Sequence, residues 1–135
     1  MTLDNALQNH QQKFRSNVSQ DIQQVMRQAT EDLIASGIRD RALNVGDKIP
    51  EFVLPNATEQ AVKIQDLLSQ GPVVITFYRG GWCPYCNLEL RALQNELSTL
   101  QDNGATLVAI SPETPDNSLT TQEKNELAFP VRARC

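Results

Sequence analysis

Along the first 35 residues, Leu3, Leu7, Phe14, Val18, Ile22, Val25, Met26, Ala29, Leu33 and Ile34 recur every three or four positions, with glutamine-rich polar residues between them. That spacing keeps one face of a helix apolar and predicts one or two long amphipathic helices, closed by Gly37. The stripe suits a dimer seam or a lid as well as packing on the chain's own domain, so a homodimer is one expectation. From Val45 the pattern changes. Residues 51–54 and 61–64 read as short strands around Pro55-Asn56, and 65–69 as a short helix ended by Gly71-Pro72. Residues 73–78 are apolar on both faces, as expected of a strand in the middle of a parallel sheet. A helix is predicted from Pro84 to about Gln101, then a connection at Gly104, then a buried strand over 105–110. Strand, helix and strand make a βαβ unit, whose ligand side lies at the carboxyl ends of the strands. Residues 118–127 read as a further helix, and Phe129-Pro130-Val131 opens another strand. The fold class is therefore α/β, with a helical extension over 1–40 and the α/β domain over 41–135.

A chain of 135 residues has room for one domain with an attached helix, and not for two independent cores. Its 12 basic and 16 acidic residues give a net charge of −4, with no basic cluster, which argues against nucleic acid as a partner. The longest apolar stretch, 72–78, is too short to cross a membrane, and the first residues are polar rather than signal-like, so a cytoplasmic location is the default expectation. Three cysteines at unrelated spacings form no disulfide framework. In a reducing compartment a close pair is more often catalytic or metal-binding than structural.

That pair is Cys83 and Cys86, in Trp82-Cys83-Pro84-Tyr85-Cys86, between the apolar strand and the helix that follows. The start of a helix presents unpaired N–H groups and partial positive charge, which favour a thiolate, the sulfur species that attacks peroxides and disulfides. Cys86, Leu90, Leu93, Leu97 and Leu100 share one helical face, so Cys86 is expected to point at the core and Cys83 to be the more exposed, attacking sulfur. Arg79 is placed to reach the thiolate or to end the strand in solvent, and Gly80-Gly81 would let backbone approach a substrate. Trp82 reads as a packing residue beside the loop, and Tyr85 as a loop residue or a docking contact. The rival readings are two small buried hydrophobes or a zinc site. Zinc would have to recruit His10 and Cys135 from opposite ends of the chain, so neither metal nor cofactor is expected.

Beyond the pair, 45–54 (Val-Gly-Asp-Lys-Ile-Pro-Glu-Phe-Val-Leu), Phe77-Tyr78-Arg79, 108–113 (Val-Ala-Ile-Ser-Pro-Glu) and Phe129-Pro130-Val131 stand in the order of the landmarks of the alkyl hydroperoxide reductase/thiol-specific antioxidant (AhpC/TSA) family. The chain resembles the peroxiredoxin-like branch of that family over roughly 42–131. The resemblance implies a thioredoxin-like sheet with flanking helices, a hydroperoxide substrate, a thioredoxin-like reductant, and catalysis by Cys83 and Cys86, with Arg79, Gly81 and Trp82 around substrate and thiolate. Counted from Phe77-Tyr78, the family's proline, threonine and peroxide-attacking cysteine fall on Arg79, Cys83 and Cys86. The same segment is similar to the Trp-Cys-x-x-Cys of thioredoxins and the Cys-Pro-Tyr-Cys of glutaredoxins, in which the first cysteine attacks. The order of attack stays open between these registers. A thiol-disulfide oxidoreductase and a non-catalytic fragment are the alternatives to a peroxidase.

The family's domain continues past the Phe-Pro-Val landmark with further strands and an arginine that helps hold the peroxide. The chain is therefore expected to lack that part, with Arg132 and Arg134 too near the landmark to replace the arginine. Cys135 is expected to be fortuitous rather than resolving. An open sheet edge would favour association and low solubility.

Overall fold

The computed structural model describes residues 1–129 and the backbone of Val131 and Arg132; Arg134 and Cys135 lie outside the described residues. The chain folds as two compact units, 1–50 and 51–135.

The first unit contains α1 (Leu3–Asn17) and α2 (Gln20–Ala35), so the predicted helical stretch is two helices. The break falls where Val18 turns extended, and Ser19 restarts the helix by accepting the Ile22 N–H at 3.5 Å. The Gln23 side-chain amide reaches back to the carbonyls of Val18 (2.7 Å) and Arg15 (3.1 Å), supplying donors to the end of α1. Gly37 sits just past α2 at φ 73°, the left-handed conformation that ends helices. Ile22, Val25, Met26, Leu33 and Ile34 on α2 are exposed.

In the second unit, β1 (Val53–Pro55) and β2 (Ala61–Lys63) pair antiparallel, Leu54 opposite Val62. Asn56 closes their turn, its Oδ1 accepting the N–H groups of Thr58 and Gln60, both at 2.9 Å. After α3 (Ile64–Leu68), three parallel strands form a sheet in the order β3 (Val73–Phe77), β4 (Thr106–Ile110), β5 (Val131–Arg132). β4 is the central strand. Its alternating side chains feed two cores. Leu107 and Ala109 pack with Tyr78, Leu90, Leu97, Leu127 and Phe129, whereas Val108 and Ile110 pack with Leu54.

Among the described residues β3 pairs only with β4, so it is an edge strand rather than a central one, and Phe77 is 74% exposed. The helix predicted to run unbroken to Gln101 is α4 (Pro84–Asn95) and α5 (Leu97–Asp102). Glu96 interrupts it at φ −92°, ψ 1°, with its N–H on the Leu93 carbonyl in a tighter turn. The apolar face survives the break, with Leu90 and Leu97 buried and Leu93 and Leu100 packed beside them. The last helix, α6 (Pro115–Lys124), starts earlier than its apolar pattern suggested, with Pro115, whose fixed φ suits a first turn, at its start.

Leu90 is 1% exposed at the centre of the larger core. Leu90→Ala is expected to destabilise the domain by about 2–5 kcal/mol in denaturant titration, through lost transfer energy and the residual cavity.

Candidate functional site

β3 delivers the chain to the loop 78–83 at the carboxyl end of the sheet. The Tyr78 N–H extends the β3–β4 ladder onto the Ile110 carbonyl at 3.0 Å, and the Cys83 N–H folds back onto the Gly80 carbonyl at 3.0 Å. Cys83 is the N-cap of α4, with Pro84 in the first turn. Its Sγ accepts the Cys86 N–H at 3.4 Å and lies 2.7 Å from the Cys86 Sγ, which donates to it. Both thiols are free.

The order of exposure is the reverse of the expected one. Cys83 is 2% exposed, whereas Cys86 is only partly buried. Cys86 does pack against the larger core, as its helical face required, yet Cys83 is the more enclosed because a cap side chain folds in beneath the first turn.

Cys86 also accepts a backbone hydrogen bond from the Arg79 N–H at 3.5 Å. Burial, and then the hydrogen bond with Cys83, push the Cys86 thiol above its ordinary value, outweighing the lowering by the Arg79 and Gly80 backbone. At Cys86 the loss of water around the ionised form, and then the sulfur acceptor for its proton, outweigh the backbone donors that favour the thiolate.

The Arg79 guanidinium lies 4.7 Å from the centroid of the Trp82 ring, while the Arg79 backbone N–H, not the guanidinium, donates to the Cys86 sulfur. Trp82 is 65% exposed, and its ring lies beside the loop, against the Arg79 guanidinium and the Gly80 backbone, rather than in either core. Gly80 and Gly81 are small for an internal reason: a Cβ on either would run into Trp82, Glu113 or Thr121.

Two polar groupings were not singled out as site residues in the sequence. Glu113 accepts the Gly81 N–H at 2.7 Å on Oε1 and the hydroxyls of Tyr78 (3.2 Å) and Thr121 (3.1 Å) on Oε2. Burial pushes the Tyr78 phenol up, so it remains a donor. Buried Asn87 donates to the Gly81 carbonyl at 2.8 Å and accepts from Asn125 at 2.8 Å, whose own carbonyl accepts from Arg91 at 3.0 Å. Glu113 stood inside the Ser-Pro-Glu landmark, and Asn87 directly after Cys86, so position beside a motif was the only signal. A cleft of about 280 Å³ borders the loop, lined by Gly81, Trp82, Glu113, Asn117, Thr120, Thr121 and Lys124. Among the described residues no three His, Cys, Asp or Glu side chains converge as a metal would require, and no helix is long and apolar enough to cross a membrane.

The family model for AhpC/TSA matches residues 45–133. The chain belongs to the AhpC/TSA family. Peroxiredoxin Bcp of Escherichia coli is 29% identical over 87 residues, covering 64% of this chain and 55% of that protein. The crystal structure of peroxidoxin BcpB from Mycobacterium tuberculosis superposes with a TM-score of 0.66 at 26% identity, over 68% of this chain and 60% of that one. Peroxiredoxin Q of Xanthomonas campestris gives a TM-score of 0.55 at 21% identity over 60% of this chain and 51% of that one, a likeness of fold alone. The AhpC/TSA chain spans little more than half the length of the curated relatives it matches. Its fold is the thioredoxin-like α/β fold of peroxiredoxins, a small sheet with flanking helices.

Since a raised thiol is less ionised at neutral pH, alkylation of Cys86 is expected to accelerate with pH into the alkaline range. Cys83→Ala removes the sulfur that accepts the Cys86 proton and is expected to move the alkylation midpoint of Cys86 downward, as read by mass spectrometry across a pH series.

Proposed function

We propose that this AhpC/TSA domain is a thiol peroxidase in which Cys86 attacks the hydroperoxide and Cys83 resolves. The observation that carries the reading is the pairing of a partly open Cys86 sulfur, held by the Arg79 N–H, with an enclosed Cys83 sulfur 2.7 Å away. It is supported by the match to the AhpC/TSA family and by relatives named peroxiredoxin.

The Cys86 thiolate attacks one oxygen of the O–O bond and expels the other as water or an alcohol once protonated, leaving a sulfenic acid on Cys86. The Cys83 thiol then condenses with it, releasing water and forming the Cys83–Cys86 disulfide. A thioredoxin-like dithiol returns both sulfurs to thiols and is itself oxidised to a disulfide. Arg79 contributes its backbone N–H to the reacting sulfur. Gly81 leaves room for the Glu113 and Thr121 contacts, and Trp82 holds the Arg79 guanidinium beside the loop. The helical segment before the family domain is an extension whose exposed α2 stripe pairs two copies, a dimer that sedimentation should lose on Met26→Glu. A reducing compartment such as the cytoplasm would keep the pair cycling.

The Cys83 sulfur at the N-cap, accepting the Cys86 N–H, favours a second reading, disulfide exchange led by Cys83. Dithiothreitol-driven peroxide consumption separates the two. The parent chain is expected to turn over, Cys86→Ser to lose consumption, and Cys83→Ser to consume a first equivalent and then slow. Insulin reduction without peroxide turnover would select disulfide exchange.

A further inference from the structure

We propose that Glu113 is a positioning residue for the dithiol: its carboxylate grips the loop at Tyr78 and at Gly81, and so fixes the intervening backbone of Arg79 and Gly80 against the Cys86 sulfur. The inference rests on Cys86 being the sulfur that reacts. The two attachment points flank the two residues that matter. Tyr78 donates its hydroxyl to Oε2 at 3.2 Å and Gly81 its N–H to Oε1 at 2.7 Å, while Arg79 between them donates its N–H to Cys86 Sγ at 3.5 Å. Arg79 and Gly80 are also the backbone groups whose hydrogen bonds favour the ionised form of Cys86.

The grip has a rigid base. The Glu113 N–H is held by the hydroxyl of buried Ser111 at 3.1 Å, and Oε2 also faces the hydroxyl of buried Thr121. Tyr78 is itself part of the larger core, so the carboxylate joins the end of β3, the loop and α6 in one piece. The fit is close: a Cβ on Gly80 would lie 2.9 Å from Glu113 Oε1. A charge-assisted hydrogen bond to a backbone N–H is roughly twice as strong as a neutral one, which suits a carboxylate to holding a glycine-rich turn that would otherwise be free to move.

The sign of the effect separates positioning from bare charge. An anion near a forming thiolate opposes it, so if Glu113 acted only as a charge, removing it would speed the reaction of Cys86. If it positions donors, removing it slows that reaction. The test is iodoacetamide alkylation of Cys86 in the full chain across a pH series, read by mass spectrometry beside a thermal melt. In Glu113→Ala, Cys86 alkylation at pH 7 is expected to fall about three- to tenfold, the size of a half to one unit displacement of the profile. Glu113→Gln, which keeps a carbonyl oxygen for the Gly81 N–H, should restore most of the parent profile. Tyr78→Phe keeps the core ring, removes one attachment and should shift the profile the same way by less, which preserves the test if Glu113→Ala does not fold. Faster alkylation in both Glu113 variants, or unchanged profiles in Glu113→Ala and Tyr78→Phe with only a lower melting temperature, would overturn the inference. The assay uses no peroxide, so loss of peroxidase activity in the parent would count against the proposed function and leave this inference standing.

Discussion

The first-turn N–H groups of a helix have no acceptors within it, and α4 satisfies one of them with a thiol. Most of the site follows from that choice. Because Cys83 caps, its sulfur folds beneath the turn and becomes nearly inaccessible, while Cys86, three residues on, is brought against it and against the backbone leaving β3. A carboxylate or hydroxyl cap would complete the helix equally well. A sulfur cap also sets a second thiol 2.7 Å from the first.

The cap works because the loop before it is held at both its N–H and its carbonyl. Gly81 gives its N–H to Glu113 and receives Asn87 on its oxygen, so side chains from α4 and from the segment after β4 converge on one residue that has no side chain. The parallel register of β3 and β4, Phe77 beside Ile110, sets the height at which Tyr78 meets Glu113. Neighbouring β4 residues serve opposite cores, so the strand that supports the site is also the one that organises the domain.

Much of this could be read from the chain before folding was considered. The helical period before residue 36, the β4 run, Pro84 as a first-turn residue and the CxxC at a strand-to-helix corner all express local rules, and the structure keeps them. The misses share a cause. An apolar run such as 73–77 cannot announce whether both its faces are covered, since that depends on which strands flank it. The relative exposure of Cys83 and Cys86 depended on one side chain turning under its own helix, which helical-face periodicity does not describe because the cap residue is not yet in the helix. Glu113, Asn87 and Asn125 carry the loop through contacts spanning 6 to 38 residues of sequence, as with Asn87 on Gly81 and on Asn125. Single polar residues at such separations leave no periodic trace.

In the proposed peroxidase, Cys86 and not Cys83 is the sulfur that meets the peroxide. Trapping with dimedone after one equivalent of hydrogen peroxide, in the Cys83→Ser and Cys86→Ser chains, with the adduct located by mass spectrometry, reads this out. An adduct is expected on Cys86 when Cys83 is replaced, and none on Cys83 when Cys86 is replaced. An adduct on Cys83 alone would contradict it and return the site to the thioredoxin register.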